Sequence, residues 1–368
     1  MARPLRQEVR NEPSPPAASV GQGTMRVSIM TELPSLLREL GHDPDRLLGE
    51  LGLDPAQFED SENTIAFRSV GALLALCVAR TGCRHLGLLL GQRGGTHTLG
   101  AVGMLVRSSP DAGSALRSLI EHLHRHDQGA VPNLSVSGSR AEFGYAIYEK
   151  DVPAADQIYA AAIAIAFRIM RELCGSSWRP TEVLLPFRKP RDAVPFRQFF
   201  PPPVRFDAGQ AALAFPAAWL GHAVASADHE TRRRVELLLR GQQPTELATR
   251  ARRAVRAMLA QGQASEEALA CAVDMSRRTL VRHLQQEGTS YQTILKETRL
   301  EVACQLLRDT GKTVDRIAAS LGYSGASPFT RAFKGWTGRT PADWRSRNDA
   351  TRSGGTESDR ESRRPSRS

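Results

Sequence analysis

Cysteine is scarce in this sequence and forms no pattern. Five occur in 368 residues (Cys77, Cys83, Cys174, Cys271 and Cys304), an odd number with no CxxC pair. That excludes a disulfide framework and reads as free thiols in a reducing cytoplasm. No apolar run reaches the roughly 18 residues a membrane span requires, so no membrane span is expected. The opening stretch, MARPLRQEVRNEPSPPAASVGQG, lacks the apolar core of a secretory signal and reads as a polar tail. There is no nucleophile–base or metal constellation. GxS and GxG triplets in the first half lack a strand–turn–helix setting. His122, His124 and His126 in EHLHRHD suggest a metal site, but only i and i+4 share a helix face. They are expected at solvated or half-buried helix ends. No reaction, metal or cofactor is expected.

What the sequence does have is positive charge. The formal net charge is +10 and the pI is near 9.9. Such a balance favours an acidic partner: nucleic acid, anionic membrane or acidic protein. The length suggests about two domains, at roughly 150 residues each. Residues 246–349 carry 17 Lys/Arg against 11 Asp/Glu, so most of the basic excess lies there.

Hydrophobic periodicity divides the chain. Residues 1–27 and 350–368 read as disordered tails. Residues 28–225 read as an α+β effector domain. In it, NLSVSGSRAEFGYAIYE predicts a hairpin around Gly138 and Ser139, AADQIYAAAIAIAFRIMREL a long apolar helix, and TEVLLPF a strand. PPPVRFDAGQAALAFPAAWL predicts two short strands around residues 208–210. A polar, partly helical linker is placed at 226–245, broken at 241–244. Residues 246–349 read as all-helical.

That last segment contains a repeat. LACAVDMSRRTLVRHL (269–284) matches IAASLGYSGASPFTRAF (317–333). Leu269 pairs with Ile317, Val273 with Leu321 and Ser276 with Ser324. After one inserted residue, Leu280 pairs with Phe329, Arg282 with Arg331 and Leu284 with Phe333. Gly322 sits where a helix end tolerates positive φ, and Asp274 takes that place in the first copy. Ser276 and Ser324 are the expected N-caps of the helices that follow. Each copy has the form of a helix-turn-helix. Between them SYQTILKETRLEVACQLLRD has no Gly or Pro and predicts a rod of about 30 Å. Major-groove segments on one side of B-DNA repeat every ~34 Å, so two reading heads on this rod could occupy adjacent segments. Phe329, Phe333 and Trp336 recur at helical spacing and are expected to anchor the second helix.

The stretch RLEVACQLLRDTGKTVDRIAASLGYSGASPFTRAFKGWTGRTPADWR, preceded by SRRTLVRHLQQEGTSY, resembles the AraC/XylS family of bacterial transcription regulators. Residues 33–220 resemble the arabinose-binding-like amino-terminal domain of ornithine-utilisation-type and virulence regulators. PVRFDAGQAALAFPAAWL is the best marker of that likeness. The resemblance implies base contacts from Arg278, Thr279 and Arg282 in the first recognition helix and from Ser327, Pro328 and Arg331 in the second. Arg suits this role because its fork pairs with guanine. Arg277, Lys334 and Arg339 are phosphate candidates. Pro328 departs from the usual small or polar residue there.

The expected function is a cytoplasmic, sequence-specific regulator that binds promoter double-stranded DNA, with RNA polymerase as a family-implied partner. Activation is the family-implied direction. A small-molecule effector is expected between the strands near 143–148 and 204–215 and the helix 154–173. Its identity is unknown, and the domain holding it is a candidate for homodimer formation. Two rivals are a constitutive DNA binder without ligand and an enzyme or carrier with a fused helical tail.

Overall fold

The computed structural model describes residues 23–353 except 148, 150, 202, 241–246, 261–263 and 274. Most of both expected tails, the break at 241–244, Tyr148 and Asp274 therefore lie outside the described residues. β1 (Thr24–Arg26) falls inside the expected first tail and pairs antiparallel with β2 (Thr64–Ala66).

The first half opens with a helical layer. It comprises α1 (Leu33–Glu39), α2 (Pro44–Gly49), α3 (Phe67–Thr81), α4 (Leu86–Gly91), α5 (Gly100–Arg107) and α6 (Ala112–His122). Then the period changes from helical to alternating, and β3 (Ala130–Ser137) and β4 (Arg140–Ile147) form the expected hairpin. Gly138 turns it with φ +57°, a conformation that favours glycine. α7 (Ala155–Cys174) is the long apolar helix, buried on most of its circumference. β5 (Glu182–Leu184), α8 (Val194–Phe199), β6 (Val204–Arg205) and β7 (Ala211–Pro216) complete the domain.

The five-stranded sheet has the order β3-β4-β7-β5-β6. β6 and β7 are the two expected short strands, but they do not pair with each other, because β5 lies between them. α7 packs on β4 and β7, and α4 lies along α7. Gly87 and Gly91, one turn apart on α4, permit that approach. A Cβ at either would sit 2.1 Å or 2.4 Å from a carbonyl oxygen of α7, at Gln157 and Ala161. The core contains Trp178, Phe167, Phe200 and Phe215, all fully buried.

The expected linker contains a packed helix, α9 (His229–Arg240), whose Val235 and Leu239 cover Leu105 of α5. Seven helices follow: α10 (Leu247–Ala260), α11 (Glu266–Ala272), α12 (Arg277–Gln286), α13 (Tyr291–Asp309), α14 (Val314–Ser320), α15 (Ala326–Thr337) and α16 (Pro341–Ser353). They bury two separate cores. One gathers Val255, Leu269, Leu280, Leu284 and Ile294, and the other Leu307, Ile317, Leu321, Phe329 and Phe333. α13 serves both: Tyr291, Ile294 and Leu295 enter the first, and Ala303, Leu306 and Leu307 the second. Its 19 residues span about 28 Å at ~1.5 Å each.

Candidate nucleic-acid interface

The pairs α11–α12 and α14–α15 are the two copies of the repeat. Each first helix ends in the same turn. Met275 N donates to Ala270 O at 2.9 Å, and Tyr323 N donates to Ala318 O at 3.0 Å. Gly322 takes φ +76° in the second copy, as its position in the repeat demands.

The second helices start differently. Ser276 caps α12, its Oγ accepting from Thr279 N at 3.2 Å. In the second copy the expected cap, Ser324, is displaced by one residue: Gly325 is the N-cap of α15 and has no side chain to offer. The inserted residue of the repeat thus falls before the cap, not after it. Pro328 stands where Thr279 stands in α12. It lacks an N–H, so the donor a serine cap would satisfy is absent. The free N–H of Ala326 is met from elsewhere, by Asp315 Oδ1 of α14 at 3.1 Å.

Leu280 and Leu284 anchor α12, and Phe329 and Phe333 anchor α15, all fully buried. Trp336 is half-buried against the same core. The opposite faces are open. Arg278 and Arg282 on α12, Ser327, Arg331 and Lys334 on α15, and Arg339 beyond it are exposed; Thr279 and Pro328 are half-buried. The side chains of Arg278, Arg282, Arg331 and Lys334 have no ion-pair or hydrogen-bond partner among the described residues. Arg277 differs, because Glu266 holds it at 2.9 Å and Glu267 at 3.2 Å. Its charge is already matched within the protein.

Three positioning residues carry no signal in hydrophobic periodicity. Asp315 has just been described. Arg299 of α13 donates from Nε to Leu321 O at 3.0 Å and lies over the Tyr323 ring, 5.0 Å from its centre. It fixes the turn of the second unit to the spacer helix. Arg345 of α16 donates from Nε to Leu307 O at 3.1 Å and from Nη2 to Lys312 O at 2.6 Å. It closes the end of α13. A helix-end carbonyl is a strong acceptor left over by the helix itself, which is why cations collect there.

The carboxy-terminal helical half also touches the first domain. Gln305 of α13 donates to Tyr159 Oη at 2.5 Å and accepts from Arg256 Nη2 of α10 at 2.5 Å. Arg308 pairs with Asp151 at 3.0 Å, and Gly311 N donates to Asp207 Oδ1 at 3.1 Å. α10 abuts β3 and β4. A cleft of about 490 Å³ remains between the two halves, bordered by Tyr145, Tyr159, Arg205, Gln210 and, across from them, Gln305 and Lys312. Burial lowers the Lys312 pKa, with Arg316 and Arg205 acting in the same direction. The elements expected to enclose an effector do border this cleft, but its far wall is the helical domain.

A second, smaller cavity lies wholly inside the first domain, among α3, α6, α7 and β4. Residues 204–215 do not line it. Asp127 and His126 do, and both are buried. Burial raises the Asp127 carboxyl to about 6, against the opposing hydrogen bonds from Tyr145 and the backbone at Gly129 and Ala130. Burial depresses His126 to about 4, with Arg26 adding to the effect. His126 is therefore not at a solvated or half-buried helix end: α6 stops at His122, and a short 3₁₀ turn carries the chain inward. His124 stays nearer the surface, where its Nδ1 meets Glu121 O at 2.8 Å. Among the described residues no three His, Cys, Asp or Glu side chains form a metal site, and no helix is long and apolar enough to cross a membrane.

Comparison with known proteins agrees with this geometry. Residues 41–224, half of the chain, match the arabinose-binding domain of AraC transcription regulators, N-terminal. Residues 269–347 match a helix-turn-helix domain, the span from α11 into α16. The HTH-type transcriptional regulator VirS of Mycobacterium tuberculosis is 28% identical over 315 residues, 84% of this chain and 93% of that protein. The ornithine utilization regulator of Pseudomonas aeruginosa is 28% identical over 325 residues, 87% of this chain and 95% of that protein. The crystal structure of the transcriptional regulator CdpR from Pseudomonas aeruginosa aligns with a TM-score of 0.41 at 23% identity, covering 84% of this chain and 97% of that one. The chain belongs to the AraC family: it is a DNA-binding transcription regulator, not an enzyme, with an α+β amino-terminal domain of the arabinose-binding type and two carboxy-terminal helix-turn-helix units joined by a long helix.

Proposed function

We propose that α12 and α15 enter adjacent major-groove segments of one promoter site, and that residues 28–225 control this binding in response to a small molecule. Arg282 and Arg331 carry the reading. They occupy equivalent positions on two anchored helices, both exposed and without partners among the described residues. An unpaired surface guanidinium costs little in water and is ready for a bidentate contact with guanine. Arg278, Thr279, Ser327 and Pro328 flank them as further base-edge positions. Lys334 and Arg339 are phosphate contacts that orient the protein without reading sequence. Arg277 takes that role only by leaving Glu266 and Glu267.

The protein acts in the cytoplasm as an activator and contacts RNA polymerase. Self-association belongs to the same reading. The exposed Leu237 and Leu238 on α9 are the apolar surface that supports it.

Control runs through the contact between Tyr159 and Gln305, because Gln305 lies on the helix that spaces the two reading heads. Coupling of effector and DNA must be reciprocal and is typically worth ~1–3 kcal/mol. The test is truncation. A fragment of residues 246–349 folds as a helical protein and keeps site-specific binding, while deletion of residues before about 226 abolishes the metabolite response. A truncated protein that still responds in a reporter strain would move sensing out of the first domain. A full chain whose occupancy no metabolite changes would favour the constitutive binder.

A further inference from the structure

The internal cavity of the first domain measures about 110 Å³. Val70, Leu74, Leu119, Ile158 and Ile165 form much of its wall. The polar side chains on that wall are His126, Asp127 and Tyr145. Asp127 is already engaged: Oδ1 accepts from Gly129 N at 2.8 Å, and Oδ2 accepts from the Tyr145 hydroxyl. His126 is not. It is 8% exposed, and its buried Nδ1 has no hydrogen-bond partner among the described residues. Buried polar atoms in folded proteins are nearly always paired, and an exception calls for a missing partner.

We propose that this cavity is the effector site and takes a small, uncharged, largely apolar molecule of about benzene size with one hydroxyl, which pairs with the His126 imidazole. The assignment rests on residues 28–225 being the effector domain. Size sets the first limit: benzene fills an apolar cavity of roughly 150 Å³, and at about 110 Å³ this one takes nothing larger than a single ring, and that only with small outward shifts of its wall. Charge sets the second. The ring is neutral near pH 7, because burial holds its pKa at about 4, so it offers no counter-charge to a carboxylate. The carboxylate of Asp127 has its donors in place and the field of Arg253 besides, which leaves little for a cationic head. Polarity sets the third. A pentose brings several hydroxyls to a cavity with one polar side chain not already engaged, and each unmatched hydroxyl loses its water for nothing. A single hydroxyl both donates and accepts, so it pairs with either tautomer of the imidazole.

The test uses the full chain, with phenol, benzene and L-arabinose as probes in calorimetry and competition. Phenol binds once per chain, about three- to tenfold tighter than benzene, the factor one net hydrogen bond supplies. His126→Leu removes that preference and leaves benzene binding. Ala162→Leu, which fills the cavity from α7, abolishes both. L-arabinose displaces neither. Failure of phenol to bind, a preference that survives His126→Leu, or displacement by L-arabinose would overturn the proposal. Should His126→Leu melt far below the parent, the phenol-to-benzene ratio of the parent and the Ala162→Leu loss still decide. DNA binding by the same proteins is measured in parallel: if it persists while phenol fails, only the cavity assignment falls, and its loss in the parent would instead strike the regulator reading.

Discussion

The two helix-turn-helix units share a turn and differ in almost everything that holds it. In the first, Ser276 caps its own helix and aliphatic Leu280 and Leu284 anchor it. In the second, Asp315 reaches from the preceding helix, and aromatic Phe329 and Phe333 do the anchoring. Tyr323, Phe329 and Phe333 stack in sequence with ring centres 5.6 Å apart, and Trp344 of α16 meets Phe333 at 6.4 Å. Yet Arg282 and Arg331 emerge at equivalent places. The fold preserves the direction of the recognition helix and lets the chemistry of the cap vary. A helix start needs its orphan N–H groups satisfied, and it matters little which residue does so.

Core truncation should separate the units most strongly. Phe333→Ala should cost about 3–5 kcal/mol, since a large aromatic leaves a cavity that its neighbours fill poorly. Leu284→Ala should cost roughly 2–5 kcal/mol and fall below Phe333→Ala, because its aliphatic neighbours adapt more readily. Chemical denaturation of both variants checks the order, and a larger loss at Leu284 would remove the contrast.

The caps come next. Asp315→Ala should destabilise by about 0.5–2 kcal/mol, as loss of an N-cap does. Ser324→Ala should stay within about 0.5 kcal/mol of the parent, like most surface changes. A larger loss at Ser324 than at Asp315 would show that the second unit begins as the first does.

Smaller effects sharpen the two faces. Lys334→Ala should weaken binding on all sequences alike and lower the salt slope by about 1. Arg277→Ala should change stability by only ~0.2–1 kcal/mol, as for exposed ion pairs. It should alter DNA affinity less than Lys334→Ala, since Glu266 and Glu267 already hold the guanidinium. Salt-dependent binding isotherms compare the two.

Much of this was legible in the sequence because it is local. Gly138, Gly322 and the three-and-four spacing of Phe329, Phe333 and Trp336 each report on neighbours within a few residues. The repeat itself, aligned over only a few turns, disclosed both units. The cap of α15 was not legible, because its acceptor lies 11 residues upstream of Ala326 and a nearer serine offered a simpler reading. The burial of His126 escaped for a related reason: helical periodicity no longer applied once α6 gave way to a 3₁₀ turn. The Tyr159–Gln305 contact spans 146 residues, and no pattern within either helix announces it. The cleft expected around β4, β6, β7 and α7 turned out to have a wall from the other domain for the same reason.

The most direct test of paired readout is base-resolved binding of Arg282→Ala and Arg331→Ala, measured on a library of variants of one promoter site. Each substitution should relax preference at its own position, at a cost of about 1–3 kcal/mol, and the two positions should lie about 10 bp apart. Uniform weakening on specific and random DNA would reduce both arginines to phosphate clamps, and relaxation at one shared position would contradict two reading heads on a rigid spacer.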